Sequence, residues 1–337
     1  MKRFVISFGM GLILFGLSVN GSAQQYKKLA QSGMEFLNVK SDAKAMAMGG
    51  AVTSLDMGSS SLFFNPAGMA NMTTYGDATF SMNNWIADIR HFGITAALRP
   101  MHGDYGTIGV SVQHVDYGDV QWTEVDNSVA KGYKDVGIFS PSAIAVGVGY
   151  AKALTDRFSI GAQIHWVRQQ LGENNIPVVE TSGDTTLVRQ KNEVSPLSFD
   201  FGTVFKTGFK SLAFGMSVRN FSKEVKYAEE GFQLPLTFTM GISMDVMDFF
   251  KMESKDHSLI VAIDAAHYRS RPEQFMVGLN YTFMKAISLR GGYISGEDED
   301  SFSFGAGVQY SGLEIDYAYT PYTVFDAVQR VTARISM

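Results

Sequence analysis

From about Thr73 to the end of the chain, side-chain character alternates with a period of two, and this alternation constrains the fold more than any other feature. In residues 274–283, Phe275, Val277, Leu279, Tyr281 and Phe283 share one face, while Met276, Gly278, Asn280 and Thr282 share the other. Successive side chains of a strand point to opposite sides, so such a segment has one apolar face and one small or polar face. The split recurs. Phe158, Ile160, Ala162, Ile164 and Trp166 oppose Ser159, Gly161, Gln163 and His165, and Phe302, Phe304, Ala306, Val308 and Tyr310 oppose Ser303, Gly305, Gly307 and Gln309. A soluble sandwich would also alternate, but its solvated face would carry Lys and Glu. Here the second face is Gly, Ser, Ala, Gln and Asp, which suits the crowded inside of a barrel whose apolar face meets lipid. Phe275, Val277, Leu279 and Phe283 are therefore expected to face lipid. Beyond residue 23 there is no run of about 18 apolar residues, the length a membrane helix needs.

Fourteen such segments can be drawn: 73–83, 87–98, 104–117, 139–153, 157–171, 196–207, 211–220, 235–246, 257–268, 274–283, 286–295, 300–311, 313–320 and 325–337. The fold expected is an all-β membrane protein, an antiparallel outer-membrane barrel of about fourteen strands. Short connections (Thr155-Asp156, 207–210, Met284-Lys285, Ser311-Gly312) alternate with long ones (118–138, 172–195, 221–234). Bacterial barrels have short periplasmic turns and longer outside loops, which puts both ends of the barrel in the periplasm. The short connection 84–86 and the longer one at 246–256 break the pattern.

The chain opens as a secretory signal would. Lys2 and Arg3 precede an apolar run from Phe4 to Val19, and Gly21-Ser22-Ala23 offers small residues for cleavage after Ala23. Residues 1–23 are read as a signal peptide, 24–72 as an N-terminal hatch held inside the barrel, and 73–337 as the barrel. The hatch segment differs in composition, being rich in Ala, Met, Gly and Ser. In it, Asn65-Pro66-Ala67-Gly68 supplies a residue that can cap locally followed by one with fixed φ and no N–H donor.

Little points to chemistry. The net charge of −5 gives no basic footprint for nucleic acid, and the absence of Cys excludes disulfides and cysteine-based sites. The six His residues fall into no metal-binding spacing; His91 and His165 point inward and could meet there. No nucleophile elbow and no phosphate cradle is present. The expectation is a protein without catalytic residues, metal or cofactor. Eight charges fall on the inward face: Asp200, Arg219, Asp264, Arg290, Glu314, Asp316, Arg330 and Arg334. They either pair to pin the hatch or line a conduit, and their mixed signs argue against a simple ion-selective pore. The acidic run Glu297 to Asp300 lies in an outside loop, where a solvated tip is the default and bridging of divalent cations or lipopolysaccharide the alternative. The outside loops also carry apolar residues suited to binding a partner: Val136, Ile138, Ile176, Val178 and Phe232.

Gly33-Met34-Glu35-Phe36-Leu37, then Ala43 to Ala51 with Gly49 and Gly50, then Asn65, Pro66, Ala67 and Gly68 together resemble the opening of the PorV/PorQ family of FadL-like barrels. Residues 153–161 and Phe199-Asp200-Phe201-Gly202 resemble family turns and strands. The resemblance implies a fourteen-stranded barrel filled by an N-terminal hatch, placed in the outer membrane of a Gram-negative bacterium of the Bacteroidota. It implies a role in type IX secretion, with the C-terminal domains of secreted proteins or other secretion components as partners, besides outer-membrane lipid and lipopolysaccharide. The terminal Met337 departs from the terminal aromatic common in such barrels. A second function follows from the FadL side of the resemblance, passive transport of hydrophobic small molecules. A sealed lumen favours protein binding, and an apolar tunnel favours transport.

Overall fold

The computed structural model describes residues 32–179, 185–227, 231–250, 256–296 and 301–337. The expected signal peptide and the acidic run at 297–300 lie outside the described residues. The barrel strands are β1 (Gly76–Asn84), β2 (Arg90–Leu98), β3 (Thr107–Asp116), β4 (Ser142–Ala153), β5 (Phe158–Val179), β6 (Leu197–Lys206) and β7 (Ala213–Phe221). They continue as β8 (Thr237–Asp245), β9 (His257–Tyr268), β10 (Gln274–Phe283), β11 (Ile287–Ile294), β12 (Phe302–Tyr310), β13 (Leu313–Thr320) and β14 (Val328–Ser336). Each pairs antiparallel with its chain neighbours, and β1 pairs with β14 from Asp77 opposite Ser336 to Asn84 opposite Gln329. The ladder is unbroken around the ring, including β4 against β5, so the sheet is a closed barrel of fourteen strands without an open edge. Lipid has no donors or acceptors to offer a free edge, and closure is the solution an all-strand chain has there.

Burial follows the alternation. Phe275, Val277 and Leu279 are exposed on the outside, at 59%, 36% and 46%, while Gln274, Met276, Gly278 and Asn280 turn inward. All fourteen expected segments coincide with strands, several at the same bounds (257–268, 274–283, 313–320). The chief difference lies at the long-loop rim. β5 does not stop at 171 but runs to Val179, and Thr185–Val194 folds back along this projecting half. The expected loop 118–138 is likewise a hairpin, Val120–Val125 against Tyr133–Phe139. Tyr133–Phe139 of the first hairpin is exposed on both faces, so period two carries no signal there. At the opposite rim, Gly76 and Met337 exchange backbone hydrogen bonds of 2.9 and 2.8 Å, so the barrel's two ends meet at the short-turn, periplasmic side.

Residues 33–72 lie within this ring, since they bond to inward side chains or backbone of β1, β3, β6, β9, β12 and β14. Ser32 and Gly33 bridge to Gln233 at the long-loop rim, and the chain then descends to the start of β1 at the periplasmic rim. Its elements are short: a 3-10 turn Glu35–Asn38, an α-helix Ala43–Ala47, and 3-10 turns Gly58–Phe63 and Pro66–Asn71. Four apolar clusters tie it to the wall, the smallest being Ala43 and Ala47 against Ala318. Met34, Phe36 and Leu37 pack on Val115, Ala143, Ala145 and Val167 below the outer mouth. Met48, Val52 and Met57 meet Ala262, Ala266 and Met276, and Leu62, Met69 and Ala70 meet Ala97 and Ala151. Where the backbone of the inner segment comes closest the wall is glycine, which accounts for several Gly residues of the inward face. A Cβ at Gly202 would collide with the Asn65 amide, and one at Gly292 with the backbone of Gly49.

Candidate functional site

An irregular segment inside a barrel has a problem of its own chemistry. Its backbone N–H and C=O groups are not paired by helix or sheet, and buried groups left unpaired are costly. The inward polar side chains answer it. Ala43 N–H donates to Thr332 Oγ1 at 2.8 Å, Gly49 N–H to Ser303 Oγ at 3.2 Å, Thr53 N–H to Asp264 Oδ2 at 2.9 Å and Ser59 N–H to Asp77 Oδ1 at 2.8 Å. In return Gln113 Nε2 donates to the carbonyls of Phe36 and Val39, at 2.8 and 3.0 Å, and Arg330 Nε donates to that of Lys40 at 3.2 Å.

The Asn65-Pro66-Ala67-Gly68 motif is the most connected point. Asn65 Oδ1 accepts from Ala67 N–H at 3.1 Å and caps the turn Pro66–Asn71, with Pro66 at the first position, where no donor is needed. Asn65 Nδ2 donates to the carbonyl of Thr53 at 2.7 Å and to that of Thr203 in β6 at 3.0 Å. One buried amide thus joins two parts of the inner segment to the wall. Ala67 is fully buried, and Gly68 sits against Ser61. Gly49 and Gly50 follow the helix Ala43–Ala47 with φ of 64° and 78°, a left-handed exit that side chains with a Cβ rarely adopt.

The eight inward charges sort into separate groups. Arg290 bridges Asp316 at 2.5 Å and Glu314 at 3.2 Å. Glu314 also takes Lys44 of the inner segment at 3.0 Å and Arg334 at 3.6 Å, and Arg334 reaches Asp77 at 2.6 Å. Across the barrel, Asp200 accepts from His165 Nε2 at 3.0 Å and from Asn220 N–H at 2.8 Å, with Arg219 at 3.7 Å. Asp264 holds Thr53, and Arg330 donates to Thr320 Oγ1 at 2.9 Å with its guanidinium 5.6 Å from the Trp85 ring. His91 and His165 do not meet. β3 and β4 lie between their strands, about 14 Å at the usual strand spacing, and His91 instead packs edge-on to Trp85. Among the described residues no three His, Asp or Glu converge as metal ligands. Lys44, Asp77 and Asn220 complete these groups and were not among the sequence candidates. Asp77 could have been found from the inward parity of Asp77, Thr79, Ser81 and Asn83; Lys44, on an irregular segment, carries no such periodic mark.

Space inside follows from this packing. One void among Phe63, Gly93, Gln113 and Arg219 measures about 10 Å³, and a second, at the long-loop rim around Lys40, Trp85, Tyr268 and Arg330, about 80 Å³. The first admits one water at most. A larger recess of about 380 Å³, lined by Lys44, Asp56, Lys206 and Lys210, opens at the periplasmic rim.

At the outer mouth, Tyr227 Oη donates to Gln169 Oε1 at 3.0 Å and Gln169 Nε2 donates to Tyr117 Oη at 3.2 Å. Burial pushes the Tyr227 phenol up to about 12, the neighbouring Tyr117 adding to the effect, and burial raises Tyr117 as well. Phe232 stacks on Tyr227 with centroids 5.4 Å apart and covers Gly33 at the top of the inner segment. Val136 and Ile138 stand exposed on the first hairpin, at 42% and 69%, with Val125 at 83%. Ile176 and Val178 lie on the projecting half of β5, opposite Val188 and Thr186.

Comparison with solved structures places the chain among hydrocarbon-channel barrels in fold. It is similar to the toluene transporter TbuX of Ralstonia pickettii (11% identity, 88% of this chain and 98% of that one, TM-score 0.58). It is similar also to the toluene transporter TodX of Pseudomonas putida (10%, 88% and 98%, 0.56) and to a FadL homologue of Pseudomonas aeruginosa (13%, 88% and 99%, 0.51). At such identities the likeness speaks for the fold alone. No curated protein sequence matches the chain. A family model does match, over residues 133–325. The PorV/PorQ resemblance rests mainly on residues 33–68, outside that stretch, and the match does not confirm it. What the match does reach is more than half of the chain, from the first outer hairpin to the last outer loop, and by it this outer-membrane barrel belongs to the type IX secretion system membrane proteins of the PorP/SprF family.

Proposed function

We propose that the protein is a non-enzymatic outer-membrane component of type IX secretion in a member of the Bacteroidota, that residues 33–72 act as a hatch keeping its lumen shut, and that its outer hairpins hold another protein. The partner is the C-terminal domain of an exported protein or a further secretion component. The observation that carries the reading is the hairpin Val120–Val125/Tyr133–Phe139. It forms a two-stranded sheet of its own, both outer edges are unpaired among the described residues, and Val125 and Ile138 are 83% and 69% exposed. A lone hairpin is marginal in water, and free edges beside apolar side chains are what strand addition by a partner uses. The projecting hairpin of β5 supplies a second arm.

The alternative, passive conduction of hydrophobic small molecules, needs a continuous apolar path. Voids of only about 10 and 80 Å³ beside Lys40 of the inner segment and a lumen bonded by charge pairs count against it. The test is to replace residues 119–140 by a short turn, and separately to shorten 172–195. The expected result is a barrel that still assembles but no longer retains its secreted partners on purification from native membranes. Full retention of every partner by both variants, with loss of uptake of a hydrophobic solute, would reverse the assignment.

A further inference from the structure

A groove of about 540 Å³ lies on the outer rim of the barrel wall, between the start of β6 and the segment following β7. Its floor is apolar, with Pro196, Leu197, Phe199 and Val225, and Lys223 and Lys226 stand over it. The groove has a local cause. The register of β7 on β6 slips between Val218 and Phe221, where Asn220 takes φ of 59° and turns its N–H to Asp200. Leu197 and Phe199 share the outward parity of Phe201 and Phe205 and put this part of the floor on the lipid-facing wall, while Val225 backs onto the cluster around Met34, Phe36 and Leu37.

Its lining carries Lys223, Glu224 and Lys226, a net positive charge. Among the described residues neither Lys223 nor Lys226 has a carboxylate within 4.0 Å. Glu224, between them, lies against the backbone of Gly231. Arg168, also at this rim, is fully engaged by Glu193 through bonds of 2.6 and 2.9 Å. An apolar trough on the outward wall at the long-loop rim, with two lysines beside it and one carboxylate, is complementary to an anionic amphiphile whose chains enter the trough and whose phosphate meets the lysines.

We propose that this groove is a binding site for a phosphorylated, multiply acylated lipid of the outer leaflet. The site is independent of the hairpins' role in holding a protein. It anchors the barrel's rotation in the leaflet and holds Val225–Lys226 and its partner strand Gly231–Phe232, whose Phe232 covers Gly33, at a fixed height above it.

The test uses the full-length mature protein in phosphatidylethanolamine nanodiscs, titrated with bisphosphorylated lipid A and followed by native mass spectrometry. Dephosphorylated lipid A and inorganic phosphate are run in parallel. The wild type is expected to prefer the phosphorylated lipid, and Lys223→Gln/Lys226→Gln to weaken it about thirty-fold, as the loss of two interfacial lysines implies. Leu197→Gln should weaken both lipids alike, and Lys131→Gln/Lys134→Gln on the other hairpin should change neither. Equal binding of the two lipids by the wild type, undiminished binding by the double variant, or displacement of the lipid by millimolar inorganic phosphate would each overturn the proposal. The wild-type comparison of the two lipids decides the matter even if a variant fails to assemble.

Discussion

Asn65 is where the inner segment and the wall are joined by a single side chain, and it does so with both ends of its amide. The oxygen caps a turn, and the nitrogen satisfies two carbonyls twelve and 138 residues away in sequence. Replacement by Ala leaves the Thr53 and Thr203 carbonyls without that donor and Ala67 N–H without its cap. The expected cost is about 1–3 kcal/mol, the penalty of orphaning buried polar groups plus a lost cap. Gly202 should make this hard to compensate, since its missing Cβ is the room in which the Asn65 amide sits. Urea unfolding of Asn65→Ala in detergent, followed by tryptophan fluorescence, measures the cost; a change under a few tenths of a kcal/mol would mean that water replaces the amide at no loss.

Among elements, the seam of β11, β13, β14 and β1 is held by ions. Arg290 is 1% exposed in its side chain and Asp316 3%, with Glu314, Lys44, Arg334 and Asp77 continuing the network. Removing one partner of a buried pair costs more than the pair itself contributes, because the other charge is stranded. Arg290→Met is expected to destabilise by about 3–5 kcal/mol, and Arg290→Met/Asp316→Leu to recover much of that; a double variant no better than the single would show that the network, not the pair, is the unit. Sequence parity alone put Arg290, Glu314 and Asp316 on one face, because a strand's alternation survives whatever it packs against. It could not pair them, since pairing depends on strand register, nor bring in Lys44, whose short helix has no period to read. The same limit explains the outer hairpins. β10 was legible because lipid and lumen impose opposite demands on its two faces, whereas Tyr133–Phe139 is solvated on both and shows no contrast. Asn65-Pro66 was recognisable as a cap and turn, but its contact with Thr203 was not, being set by the three-dimensional approach at Gly202.

For the whole molecule, the barrel and its contents are held by different means. The wall is a closed ladder of backbone bonds, which can open only cooperatively. Residues 33–72 are held by individual side-chain bonds and small apolar clusters, and segments so held open at lower free energy than the sheet around them. This difference makes a statement about conduction. With the inner segment seated, the voids of about 10 and 80 Å³ on either side of Lys40 are small beside the path a hydrocarbon needs. The wild type in a planar bilayer is therefore expected to be silent. As urea is raised, stepwise conductance should appear before the β signal in circular dichroism is lost, because the inner segment releases while the ladder stays closed. A steady open pore without urea would contradict a sealed lumen. Conductance and β signal changing together at one urea concentration would contradict the separate release of the segment and would make the inner residues part of the same cooperative unit as the wall.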